Sequence, residues 1–256
     1  MDAICLIILF LLGTEWGSFF TLIGERIPKE EKFLRGKSYC DSCHHKLIII
    51  DKIPIISYLL LQGRCRYCGA KIPPLSTYME FFTGILFALS FYIFGFSWEF
   101  LIAIGIVAML IIIACTDITY FIIPDGLLLF FSIYFFIIQL FRLGIRGAII
   151  QLTYGIILFI LMYVIMLIGN KIFKRESIGG GDIKMMFVIG LVLDPLLGVI
   201  SIFLASFLAL PISLIALKVK RESIIPFGPF LLVAFMFLYF TQISTPMIIN
   251  FFKLIY

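Results

Sequence analysis

The sequence predicts an all-α polytopic membrane protein with about eight transmembrane helices and one small polar loop domain. Three observations predict it. Of the 256 residues, 62% are hydrophobic and 14% charged, with a mean hydropathy of +1.17, and a soluble globule needs more polar surface than this. Apolar runs recur at close to the ~20 residues that cross a ~30 Å hydrocarbon core. The Lys and Arg residues stand in short clusters between those runs. The net charge of +5 is gathered beside the spans rather than along a basic face, which argues against a nucleic-acid partner.

The first run, 3–23, begins behind Asp2, has no Lys or Arg ahead of it and shows no small-x-small cleavage site. It is read as a retained span rather than a cleaved signal. Residues 24–76 are the one polar segment long enough to form a small domain. Further runs lie at 77–95, 99–116, 121–141, 147–169, 183–196, 197–217 and 225–241, with an apolar tail from Met247. The sixth span of this count is short and Asp194-Pro195 interrupts it. Fusing it with the seventh would flip Lys218, Lys220 and Arg221 outward, so the two are kept apart. The expected division is a first helix at 1–23, a loop domain at 24–76 and a transmembrane core at 77–256.

Loop charge sets the orientation. Residues 24–76 hold ten Lys and Arg, 170–184 hold four and 218–222 hold three, which directs these loops to the cytoplasm. The other face keeps Arg142, Arg146 and Lys253, so both termini are expected outside. Asp117 and Asp182 then fall on the cytoplasmic face, although neither was used to build the map.

The large loop carries Cys40-Asp41-Ser42-Cys43 and Cys65-Arg66-Tyr67-Cys68, two CxxC pairs separated by 21 residues. This pattern predicts a tetrahedral zinc site on Cys40, Cys43, Cys65 and Cys68, with Gly69 supplying a turn. A cytoplasmic loop disfavours the competing disulfides. His44 and His45 follow the first pair as substitute ligands or exposed side chains. Ile48 to Ile50 and Ile53 to Leu61 are too apolar for a free loop and are expected to pack on the zinc module or enter the membrane interface.

The candidate chemistry lies in Gly179-Gly180-Gly181-Asp182-Ile183-Lys184 and in Asp117. A carboxylate at the mouth of an apolar span is a functional candidate. Two that share one proton hydrolyse an amide: the ionised member activates water and the protonated member donates to the carbonyl oxygen. The glycines form an active-site loop that admits a substrate backbone or supplies unusual conformations. Plainer roles exist for the same residues, with Asp182 as a helix cap and Lys184 as a marker of the membrane edge. Asp125, after Pro124, and Glu80, at the start of the second span, are accessory carboxylates. A turn role suits Asp125, and pairing with a loop cation suits Glu80. Asp194 is assigned to a turn, and Glu15 to a polar contact between helices.

Taken together these residues resemble the type IV prepilin peptidases, the leader peptidase/N-methyltransferases of the GxGD membrane aspartyl protease group. Gly17-Ser18-Phe19 with Arg26-Ile27-Pro28, the two CxxC pairs, Gly63-Arg64-Cys65, Asp117 with Pro124-Asp125, Gly179 to Lys184 and Pro226-Phe227-Gly228-Pro229-Phe230 carry the resemblance in order. It implies cleavage of a prepilin or pseudopilin leader after a glycine, at the cytoplasmic face of a bacterial inner membrane, with Asp117 and Asp182 catalytic. It also implies methylation of the new amino terminus from S-adenosylmethionine. Thr21 and Met185 depart from the common asparagine and leucine. A peptidase without methyltransferase activity, an ion-coupled transporter and a zinc-module scaffold are the alternatives. The transporter reading predicts internal repeats or helices broken in mid-span, and the scaffold reading predicts silent aspartate substitutions.

Overall fold

The computed structural model describes residues 2–30, 39–40, 42–174, 178–219 and 225–255. Asp41, Arg175, Lys220 and Arg221 of the predicted segments lie outside the described residues. The chain divides into two compact units, Met1–Phe96 and Ser97–Tyr256. Among the described residues it is helical, with two isolated antiparallel bridges, Tyr39–Lys46 and Arg64–Lys71, and no strand.

In the first unit α1 (Asp2–Arg26) packs along α3 (Leu75–Phe94), and the polar loop with the short α2 (Ile56–Leu60) lies between them in sequence. Glycine brings the two long helices together. A Cβ on Gly13 would meet Gly84 Cα at 2.8 Å, and one on Gly17 would meet Glu80 Cα at 2.8 Å. This is the close approach by which membrane helices gain van der Waals contact where lipid removes the hydrophobic drive. Of the loop's apolar residues Ile49 is 84% and Leu60 75% exposed, whereas Ile53 and Ile55 are half-buried and Pro54 is buried.

The second unit is built around α4 (Trp98–Tyr120), where Ile102, Ile106, Met109 and Ile113 are wholly buried. A helix apolar on every side is stable either in lipid or inside protein; here α5 (Asp125–Phe173) and α8 (Gly228–Phe240) pack against it. Ser97 starts α4 by accepting the Phe100 N–H at 3.2 Å. The 49-residue α5 is broken at Gly144, at φ 71 and ψ 177, a conformation in which glycine carries no steric penalty. Its halves, 125–143 and 145–173, correspond to the predicted fourth and fifth spans.

The predicted sixth and seventh spans are also separate helices, α6 (Gly180–Gly190) and α7 (Pro195–Val219). At 11 residues, α6 rises about 16 Å, roughly half of a hydrocarbon core. Its closeness to α5 depends on small residues, since a Cβ on Gly190 would lie 2.6 Å from Gly155 Cα. Asp194 fills the expected turn by capping α7 through the Leu197 N–H at 3.0 Å. It also holds α9 (Thr245–Ile255) by accepting the Thr245 hydroxyl at 2.6 Å. Among the described residues α1, α3, α4, α5 and α7 are long and apolar enough to cross a membrane.

Candidate active site

Three elements of the second unit converge on two aspartates. Asp117, 6% exposed, lies in the last turn of α4, which ends where Phe121, at φ 55, donates its N–H to Asp117 O at 3.0 Å. Asp182, 8% exposed, is the third residue of α6. A Cβ on Gly181, the residue before Asp182, and one on Gly228 would both meet the Ile123 side chain. Gly228, the first residue of α8, donates its backbone N–H to Asp117 Oδ2 at 3.2 Å, the arrangement by which helix starts hold anions. Asp182 Oδ1 is buried without a hydrogen-bond partner among the described residues.

The three glycines do not form a loop. Gly179 is the N-cap of α6 with φ −67, and Gly180 and Gly181 are its first two residues. No left-handed backbone accounts for them, and the reason at Gly181 is space, because a Cβ there would lie 2.7 Å from Ile123 Cβ. Gly179 faces Asp182 itself, with room for a Cβ only 3.2 Å from Oδ2. Lys184 reaches both carboxylate oxygens of Asp125 at 2.7 Å. That pair is exposed, so Asp125 sits in a rim salt bridge while Asp117 and Asp182 are buried.

Glu80 belongs to the first unit, is 7% exposed and accepts the Ile55 N–H at 3.0 Å and the Ser76 hydroxyl at 3.5 Å. Among the described residues its partners are a backbone donor and a hydroxyl rather than a loop cation. Ile55 holds φ 62 to make this bond, a rare conformation for a β-branched residue.

The sulfurs of Cys40, Cys43, Cys65 and Cys68 lie within 4.8 Å of one another and could hold a metal ion. The two knuckles repeat one fold. Cys40 N bonds His45 O at 3.0 Å and Cys65 N bonds Ala70 O at 2.8 Å; four residues after each leading cysteine stand His44 at φ 55 and Gly69 at φ 71. His44 therefore occupies the turn position that glycine fills in the second knuckle, and His45 stacks on Tyr67 at 3.7 Å between ring centroids. The Cys43 and Ser42 backbone N–H groups pull the Cys40 thiol down to about 7, while at Cys68 the Ala70 N–H is outweighed by desolvation and the neighbouring thiols, which push that thiol up to about 11.

Comparison with known proteins follows these two parts. The bacterial peptidase A24 N-terminal domain matches residues 11–94, and the type IV leader peptidase family matches 104–214. A Bacillus subtilis prepilin leader peptidase/N-methyltransferase is 35% identical over 192 residues, which cover 73% of each chain. The chain belongs to the type IV leader peptidase family. This is a family of aspartic peptidases, and the leader-peptidase segment contains both Asp117 and Asp182.

A Myxococcus xanthus relative with the same name is 32% identical over 76% of this chain, which spans 58% of that relative's length. A Vibrio cholerae relative, also so named, is 28% identical over 94% of this chain and 98% of its own. No solved structure matches the chain. Within this chain, sequence reasoning singles out Asp117 and Asp182 but not Ile123 or the Gly228 N–H. The only signal for Gly228 was its place between Phe227 and Pro229 in a motif known by resemblance.

Proposed function

We propose that this leader peptidase is an aspartyl endopeptidase of the bacterial inner membrane that removes the leader of type IV prepilins or pseudopilins. The observation that carries the reading is the burial of Asp117 and Asp182 at two helix starts that meet on one side chain: Gly228, which bonds Asp117, and Gly181, which precedes Asp182, both lie against Ile123. Cleavage after a glycine is proposed from the resemblance to prepilin peptidases, and loop charge supports the cytoplasmic face with both termini outside.

In the proposed reaction the ionised carboxylate takes a proton from water, whose oxygen bonds the scissile carbonyl carbon. The protonated carboxyl gives its proton to the carbonyl oxygen. Collapse of the tetrahedral gem-diol breaks the C–N bond as the carboxyl that took the water proton gives it to the amine nitrogen and the other carboxylate recovers a proton from a gem-diol hydroxyl, leaving a new carboxyl terminus, a free amino terminus and the starting carboxyl pair. The Gly228 N–H orients Asp117 throughout, and the α6 first turn presents Asp182.

The cysteine cluster fits zinc. Four thiolates at ~2.3 Å from a tetrahedral ion stand about 3.8 Å apart, and Cys40 Sγ and Cys68 Sγ are 3.8 Å apart. Zinc held by Cys40, Cys43, Cys65 and Cys68 would lock the loop, with no position open for substrate. Methylation of the new amino terminus from S-adenosylmethionine is proposed from the relatives' shared name alone.

The test is cleavage of a pilin-like precursor by the purified protein in detergent, comparing the parent with Asp117→Asn and Asp182→Asn after confirming that both variants fold. Each substitution is expected to lower the rate by at least ~10²-fold, the usual share of a positioned acid or base. A variant that still cleaves at the parental rate removes its aspartate from the mechanism.

A further inference from the structure

We propose that Ile123 is a positioning residue of the aspartate site, a rigid spacer that sets how far apart the first turns of α6 and α8 hold Asp182 and Asp117. The inference rests on the aspartyl peptidase reading above. Its geometry is independent of that reading.

Ile123 lies in the non-helical 121–124 segment between α4 and α5, and its side chain touches both helix starts. A Cβ on Gly181 would lie 2.7 Å from Ile123 Cβ, 3.1 Å from Cδ1 and 3.2 Å from Cγ1. A Cβ on Gly228 would lie 3.2 Å from the same Cδ1. Gly181 is the residue before Asp182, and Gly228 is the residue that bonds Asp117. One side chain therefore fills the space that two glycines leave open, and each glycine adjoins one aspartate.

The segment that carries Ile123 is anchored at both ends. Phe121 at one end is bonded to Asp117 O at 3.0 Å, and Pro124 at the other accepts the Leu127 N–H at 3.1 Å at the start of α5. A residue before proline is confined to extended backbone, and a β-branched side chain has few χ1 choices. A catalytic group misplaced by about 1 Å loses on the order of 10²-fold in rate, so a spacer of this kind acts on turnover more than on substrate affinity.

The experiment measures kcat and KM for precursor cleavage by the full chain in detergent, with melting temperatures taken for every variant. Ile123→Ala is expected to lower kcat by ~10- to 100-fold with KM within about 2-fold of the parent. Ile123→Val keeps Cβ and loses Cδ1, the Gly228 contact, and is expected to fall between the two. The decisive pair is Gly181→Ala and Gly181→Ala with Ile123→Gly. The single variant drives two Cβ atoms together and displaces the α6 start, and the double variant vacates that space and recovers kcat beyond what its change in melting temperature accounts for. Parental kcat in Ile123→Ala, or strictly additive losses in the double variant, overturns the inference. Cleavage that survives Asp117→Asn or Asp182→Asn overturns the aspartyl reading and the spacer together. Loss in those variants with a parent-like Ile123→Ala overturns the spacer alone.

Discussion

Gly228 donates its backbone N–H to Asp117 Oδ2 at 3.2 Å, and a Cβ placed on Gly228 would stand 2.8 Å from that same oxygen. The residue thus serves Asp117 through what it has and through what it lacks. Gly228→Ala forces the carboxylate off its donor, and a hydrogen bond to a charged group contributes ~1.5–3 kcal/mol. The expected outcome is a loss of about 10- to 100-fold in cleavage rate, measured on pilin-like precursor in detergent. Parental activity would show that the bond does not orient the reacting form.

Asp125 is expected to be dispensable in chemistry. Its carboxylate is exposed and bonded to Lys184, and exposed ion pairs contribute at most ~1 kcal/mol. Asp125→Asn is expected to retain cleavage within roughly 5-fold of the parent, in contrast to Asp117→Asn. A loss as deep as that of Asp117→Asn would make Asp125 a member of the site.

The four-cysteine loop makes a separate prediction. Purified protein is expected to carry one zinc per chain by metal analysis, and Cys65→Ser, which removes the buried ligand of the four, is expected to abolish it. Acidification releases the metal, because each thiolate must be reprotonated. Zinc retained in full by Cys65→Ser would remove the cluster from metal binding.

His44 supplies the sharpest test of the knuckle geometry. It sits at φ 55 where the second knuckle has Gly69 at φ 71, and a left-handed backbone costs a side-chain-bearing residue on the order of 1 kcal/mol. His44→Gly is expected to keep the zinc and to raise resistance to chelation by up to ~5-fold. Loss of zinc in His44→Gly would make the imidazole a ligand.

Much of this arrangement was legible in the chain. Hydropathy located the helices, and loop charge brought Asp117 and Asp182 to one expected face before any motif was considered. The burial of α4 inside protein was not legible, because lipid and protein accept the same run of isoleucine, valine and alanine. The shortness of α6 was partly legible in Asp194-Pro195. Gly228 and Ile123 escaped because one acts through a backbone N–H and the other through shape, and neither property has a sequence signature. Glu80 was read from its charge, whereas its partners are the Ile55 backbone and Ser76.

The break in α5 has a consequence for how the chain enters its membrane. Gly144 is flanked by Arg142 and Arg146, and in the proposed orientation this corner is carried outward as the two halves insert. Each positive charge moved outward against a potential of ~100 mV, negative inside, costs about 2.3 kcal/mol. Arg142 is bonded to Glu99 at 2.8 Å and to Gln139 at 3.3 Å, so once formed that pair crosses with no net charge and only Arg146 works against the field. Glu99 stands near the start of α4, the helix made just before, so the field opposes the α5 corner least when α4 and the α5 hairpin insert together and Glu99 crosses with Arg142 as a neutral pair.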